Sequence, residues 1–191
     1  MKKFEEEVKA FSSTSLDALE NFKDGTPVKV CGIVTESKNI LDRKNKPMAF
    51  ITLEDFLGSA EVIVFSSVYE KYREFLENDS MILIVGRVSS REEENPKIIC
   101  EKIVPLDRIW EHCGKNLHLS VEKIGVDDPV LNQINILLKQ NPGNCNLFIN
   151  VKTDENSREI IKSRNVKVNP SPEVITQLRT LLGQNNVWME A

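Results

Sequence analysis

The chain lacks any apolar run approaching the roughly 18–20 residues needed to cross a bilayer. No secretory signal is visible either, because "MKKFEEEVKAF" turns acidic where a signal would need an apolar core. A cytoplasmic location is therefore the expectation. Cysteine is sparse: Cys31, Cys100, Cys113 and Cys145 form no CxxC pair and no dense framework. Reduced, cytosolic thiols are expected, with Cys31 and Cys100 acting as small hydrophobes in strand-like runs. His112, Cys113 and His118 lie close in sequence, but a structural zinc site wants four ligands in paired motifs, so no metal is expected.

Catalytic signatures are missing too. Neither a P-loop nor a GxSxG elbow occurs. Glu54, Asp55 and Glu61 are carboxylates on adjacent strand-like segments. Consecutive strand residues point to opposite faces, however, so Glu54 and Asp55 cannot chelate one ion together. No catalytic residue, cofactor or small-molecule substrate is assigned to this segment.

What is present suits a folded protein: 191 residues, 40% apolar, 28% charged, formal net charge −4. That balance argues against a surface coated in basic charge for non-specific duplex binding. Positive charge is nonetheless concentrated at Lys38, Arg43, Lys44 and Lys46, with only Asp42 opposing it. Such a cluster reads equally as a solvated hairpin loop or as a phosphate-binding rim, and both readings stand open at this point.

Residues 4–24 have helical spacing at Phe4, Val8, Phe11, Leu16 and Leu19, with Thr14–Asp17 resembling a capping box. This stretch reads as a helical lead-in (1–24), and its abrupt start suggests a piece of something longer. From Val28 the period becomes two. Strands are expected at Val28–Thr35, Met48–Asp55 and Ala60–Phe65, then a helix over "SSVYEKYREFLEN" capped by Ser66 or Ser67. Two further strands follow, Met81–Ser89 and Lys97–Val104. Three strands, a helix and two strands is the order of an OB-fold, a five-stranded Greek-key barrel, here placed at 25–108. Val34, Ile51, Val62 and Ile84 are expected inside it, and Gly32 at the bend of the first strand.

A second, small α+β domain is expected at 115–191. It has a strand at "LHLSVE", a helix from Asp128-Pro129 and a strand at "NLFINV". Short extended pieces follow near Glu159–Ile161 and Val166–Val168, then a helix opened by Ser171-Pro172 and closed by Gly183.

OB barrels hold oligonucleotides on the face of their second and third strands, between the 1–2 and 4–5 loops. The basic cluster falls in the 1–2 loop. Phe50 and Phe65 are candidates for base stacking, although core packing is the preferred reading of each; Arg87 is a further cation. The 4–5 loop carries Glu92, Glu93 and Glu94, which would repel phosphate.

These stretches also bring a family into view. Gly32-Ile33-Val34, Lys46–Phe50, Thr52–Asp55, Gly58, Glu61-Val62 and Phe65 resemble the OB domain near the C-terminus of bacterial DNA polymerase III alpha subunits. So do "VYEKYREFL", Val85–Val88 and the later "LHLSV", "NPG" and "LLG" text. The resemblance implies that the barrel lies near single-stranded template DNA and that the C-terminal domain contacts the clamp-loader tau subunit within a replisome. It also implies that DNA-directed DNA polymerase (nucleotidyltransferase) chemistry belongs to other parts of such a protein. A C-terminal clamp motif is not recognisable in "GQNNVWMEA". The alternatives are a free-standing RNA- or tRNA-binding OB module, since synthetase anticodon domains share the LEDxxG-like piece, and a protein-binding barrel whose basic loop meets an acidic partner.

Overall fold

Gly32 sits where one strand changes partners. Strand β1 (Pro27–Leu41) pairs antiparallel with β4 (Met81–Ser89) over Pro27–Ile33, and with β2 (Pro47–Glu54) from Ile33 onward. A Cβ on Gly32 would lie 2.7 Å from the Glu54 carbonyl oxygen and 2.7 Å from Leu53 Cγ, so only glycine admits the close approach. The register then slips between Val34 and Glu36, a bulge at Thr35 that adds twist as the strand switches neighbours.

The computed structural model describes residues 4–91, 94–122, 128–154 and 157–190. Two compact units divide the chain, residues 1–109 and 110–191. In the first, β3 (Ser59–Val64) pairs antiparallel with β2 and parallel with β5 (Lys97–Pro105), while β5 pairs with β4. The result is a closed barrel in the order β1-β2-β3-β5-β4. Helix α2 (Ser66–Tyr72), extended by a 3-10 turn over Arg73–Phe75, lies between β3 and β4 in sequence, as an OB-fold requires.

Alternation along each strand sorts the side chains. On β2, Ala49, Ile51 and Leu53 are fully enclosed, while Phe50, Thr52 and Glu54 point outward. Val34, Val62, Ile84 and Ile98 join the same interior. Each such burial contributes about 1.5–3 kcal/mol relative to exposure.

Ahead of the barrel, α1 (Glu5–Phe11) is followed by a 3-10 helix, Leu16–Asn21, whose Leu16 and Leu19 pack into the barrel core. The expected capping box does not form there. Ser15 makes no side-chain cap bond, and the Leu16 N–H instead donates to Asp55 Oδ2 at 2.7 Å. Helix α2 likewise has Phe65, not a serine, at its N-cap.

The second unit opens with Trp110–Cys113, the part of the short helix α3 (Ile109–Cys113) that lies beyond the division. Then come β6 (Asn116–Glu122), α4 (Asp128–Gln140), β7 (Pro142–Asp154), β8 (Ser157–Val168), α5 (Pro172–Leu182) and β9 (Val187–Glu190). The sheet runs β8-β7-β6-β9, with β6 and β7 parallel across the α4 crossover. Leu117, Leu119, Leu147 and Val187 share one core with Ile134 and Leu138 of α4 and Val174, Ile175 and Leu178 of α5. These strand positions fall on one face, which α4 and α5 both cover.

Ser171 Oγ accepts from the Val174 N–H, with Pro172 at N1, and Gly183 closes α5 at φ 94°. Two elements differ from expectation. The short pieces at Glu159–Ile161 and Val166–Val168 belong to one strand, β8, whose middle is irregular and polar: the Val166 N–H bonds Ser163 Oγ at 3.0 Å. Strand β9 had no signal of its own; it is four residues long and is held by pairing with β6.

Candidate nucleic-acid interface

The β1–β2 hairpin is ordered from within by Asp42. Its Oδ1 accepts the backbone N–H of Lys44 at 2.7 Å and of Lys46 at 2.8 Å. Asn45 takes a left-handed φ of 60°, a conformation asparagine tolerates. The Lys46 N–H above all, then that of Lys44, holds the Asp42 carboxyl below its ordinary range, although partial desolvation works against them. With the turn satisfied by its own backbone, the side chains of Arg43, Lys44 and Lys46 project into solvent. Together with Lys38 they are exposed, and none of the four makes an ion pair among the described residues.

Register brings a second feature beside them. Lys38 pairs with Phe50, and Phe50 pairs with Ile63 on β3. These three form a row across the outward face of β1, β2 and β3. Phe50 is half-buried rather than core, against the preferred reading, because its neighbours Ala49 and Ile51 fill the interior. Phe65 is 45% exposed just beyond β3 and is not core either. Sequence reasoning passed over Ile63, although it is in phase with the outward Glu61 and is an apolar residue on a polar-facing register. Leu41, 61% exposed at the hairpin's end, was passed over as well.

Arg87 stands apart from the cluster. It pairs with Ile99 across the β4–β5 ladder, and its Nε lies 2.6 Å from Glu101 Oε1. Its charge is largely neutralised before any ligand arrives.

The next row of the same face is acidic. Glu36, Thr52 and Glu61 are neighbours by register, and Thr52 Oγ1 reaches Glu36 Oε2 at 3.5 Å. Glu61 Oε1 is 3.0 Å from Lys97 Nζ. Asp55 accepts backbone N–H groups from Leu16, Leu57 and Gly58, so it is a structural residue of the β2–β3 turn. Of the 4–5 loop glutamates, Glu94 is exposed; Glu92 and Glu93 lie outside the described residues. Among the described residues no helix is long and apolar enough to cross a membrane. The face can therefore attract a phosphodiester chain along the Lys38–hairpin side, offer Phe50 to a base, and repel phosphate from the Glu36–Glu61 side.

Residues 28–106 match a family described as OB-fold nucleic acid binding domain, and residues 117–182 one described as DNA polymerase III alpha subunit, C-terminal domain. In the order of these two matches the chain is similar to the C-terminal region of DNA polymerase III alpha subunits. DNA polymerase III subunit alpha of Borreliella burgdorferi is 29% identical over 188 residues, covering 94% of this chain and 16% of the relative. The Escherichia coli subunit is 23% identical over 168 residues, covering 87% of this chain and 14% of its own length. The chain thus spans about a sixth of the length of the curated relatives it matches. Among solved structures, a mitochondrial single-stranded DNA binding protein from S. cerevisiae aligns with 44% of this chain and 96% of its own, at 9% identity and a TM-score of 0.36. That likeness is too slight to carry a functional argument.

Proposed function

We propose that the barrel binds single-stranded DNA along the outward face of β1–β3, as part of a replicative DNA polymerase alpha subunit. Phosphates run past Lys38, Arg43, Lys44 and Lys46, and a base stacks on Phe50. Arg87 contributes little, because Glu101 already holds it. The observation that carries this reading is the Lys38–Phe50–Ile63 row leading into a hairpin whose cations make no ion pair among the described residues. Polymerase chemistry, a cytoplasmic setting and membership of a replisome are proposed for the whole protein on the strength of the family likeness. On the same basis, the barrel at 25–108 and the domain at 115–191 act as separate modules, the second docking the clamp-loader tau subunit.

Salt dependence of oligo-dT binding tests the barrel. Neutralising three or four phosphates gives a log–log slope of about −2 to −3, from roughly −0.7 per phosphate. A slope near zero would remove the electrostatic mechanism. Tighter binding of RNA than of DNA of the same sequence would favour an RNA-binding module instead. Co-purification with tau tests the second module, and its failure would leave the barrel reading intact.

A further inference from the structure

The face of the second unit's sheet turned away from α4 and α5 carries two cross-strand rows in register. One runs Trp188–His118–Phe148–Lys162 across β9, β6, β7 and β8. The other runs Glu190–Asn116–Asn146–Lys167. In the first, the three rings stand parallel like leaves of a book. His118 lies 4.8 Å from Phe148 and 5.1 Å from Trp188 by centroids, with interplanar angles of 10° and 11°. Lys162 Nζ sits 5.5 Å over the Phe148 ring and ends the stack on that side. Strand β9 is the sheet edge, so among the described residues no further strand pairs beyond Trp188.

The second row is a relay of amides. Asn146 Nδ2 donates to Asn116 Oδ1 at 3.0 Å, and Asn116 Nδ2 donates to Glu190 Oε2 at 3.3 Å. Glu190 Oε2 also lies 3.2 Å from His118 Nε2, tying the two rows together at the β9 edge. Both rows finish in an exposed lysine on β8, and neither lysine makes an ion pair among the described residues. Arg164 adds a third exposed cation to that strand, while Glu159 pairs with Val151 and so belongs to the opposite face.

Trp188 and Phe148 are half-buried, and His118 between them is buried, as are Ser120 and Asn150 on the same face. Core packing alone does not account for the exposed lysines and the amide relay that accompany this stack. Nor does a purely acidic protein partner, which would use the lysines and leave rings and amides idle. Unpaired nucleotides use all three: a base extends the stack, amides meet base edges, and ammonium groups meet phosphates. From Trp188 to Lys162 the row crosses three strand spacings, roughly 14 Å at about 4.8 Å each, a span a short oligonucleotide covers.

We infer that this sheet face is a second single-strand nucleic-acid site, with a base stacked on the outer face of Trp188 and phosphates on Lys162 and Lys167. It is separate from the barrel site and stands or falls independently of it.

The test uses the full chain carrying Trp110→Phe, which leaves Trp188 as the sole tryptophan of two. Short oligo-dT at low salt should quench Trp188 emission. Lys162→Glu with Lys167→Glu should weaken the quench about tenfold, through lost phosphate contacts. Lys44→Glu with Lys46→Glu should leave it unchanged. Oligo-dT that binds by anisotropy without quenching Trp188 would overturn the sheet site and leave the barrel reading standing. Quenching by poly-glutamate equal to that by oligo-dT would also overturn it, since no base is then needed. Amide-shift mapping of the unsubstituted chain gives an independent readout should the Trp110 variant misfold: shifts confined to the barrel would refute the site, and shifts at Phe148, Lys162 and Lys167 would support it.

Discussion

Lys38 lies directly across the β1–β2 ladder from Phe50, an exposed cation beside a half-buried ring on the outward face of the barrel. In the proposed interface, ion-pair and stacking contributions are thus held one strand apart and can be separated by mutation. Phe50→Leu keeps an apolar side chain at the position but removes the aromatic face. It should weaken oligo-dT binding by about 1–3 kcal/mol, the worth of one base–aromatic stack, with the salt slope unchanged. Lys38→Ala should instead make the slope shallower by about 0.7. Fluorescence anisotropy across a salt series checks both, and identical behaviour of the two variants would contradict the separation.

Charge reversal discriminates the hairpin from Arg87. Lys44→Glu with Lys46→Glu should lower affinity about tenfold or more and leave thermal stability within about 0.5 kcal/mol, as exposed sites do. Arg87→Ala should change affinity far less, because Glu101 already neutralises the guanidinium. An Arg87 effect as large as that of the lysine pair would show the ion pair opening for ligand.

Acidification should loosen the hairpin through Asp42. Its carboxyl titrates lower in the folded chain, chiefly because the Lys46 N–H bonds it. The order it supplies is therefore present above the ordinary aspartate range and lost as pH falls through the depressed folded value. Protection of the Lys44 and Lys46 amides, measured against intrinsic exchange at each pH, should fall over that acid window. Asp42→Asn should remove this change in protection, and protection that stays constant with pH in the unsubstituted chain would rule out the capping role.

Glycine to alanine at the barrel's close approaches should destabilise it. A Cβ on Gly32 would press on the Glu54 carbonyl and Leu53, and one on Gly86 on the Ile99 carbonyl. Each change should cost about 1–3 kcal/mol or more, as overpacking against backbone does. Thermal or urea unfolding measures this, and unchanged stability would mean that the strands separate more readily than their register implies.

Thiol labelling should find one reactive cysteine in the native chain. Burial pushes the Cys100 thiol up to about 12 and that of Cys145 up to about 11, and Cys31 is enclosed. Cys113 alone is partly exposed. A thiol reagent at mildly alkaline pH should modify one group natively and four in denaturant. Rapid native labelling of Cys100 would indicate an open barrel.

What the chain alone determined were the features set by neighbours in sequence. Period-two alternation sorted β2 into inward and outward residues; turn chemistry separated the strands; Ser171-Pro172 and Gly183 bounded α5. The order of barrel elements followed, and with it the OB-fold and the family resemblance. Tertiary structure alone decided what depends on residues far apart in the chain. Asp55 reaches back to Leu16, Glu101 occupies Arg87, and β9 becomes a strand because β6 supplies its partners. It also decided that Trp188, His118 and Phe148 would stack in one row. Local dihedral preference and hydrophobic period are written residue by residue, whereas strand register and the pairing of charges arise only when closure brings distant segments within hydrogen-bonding distance.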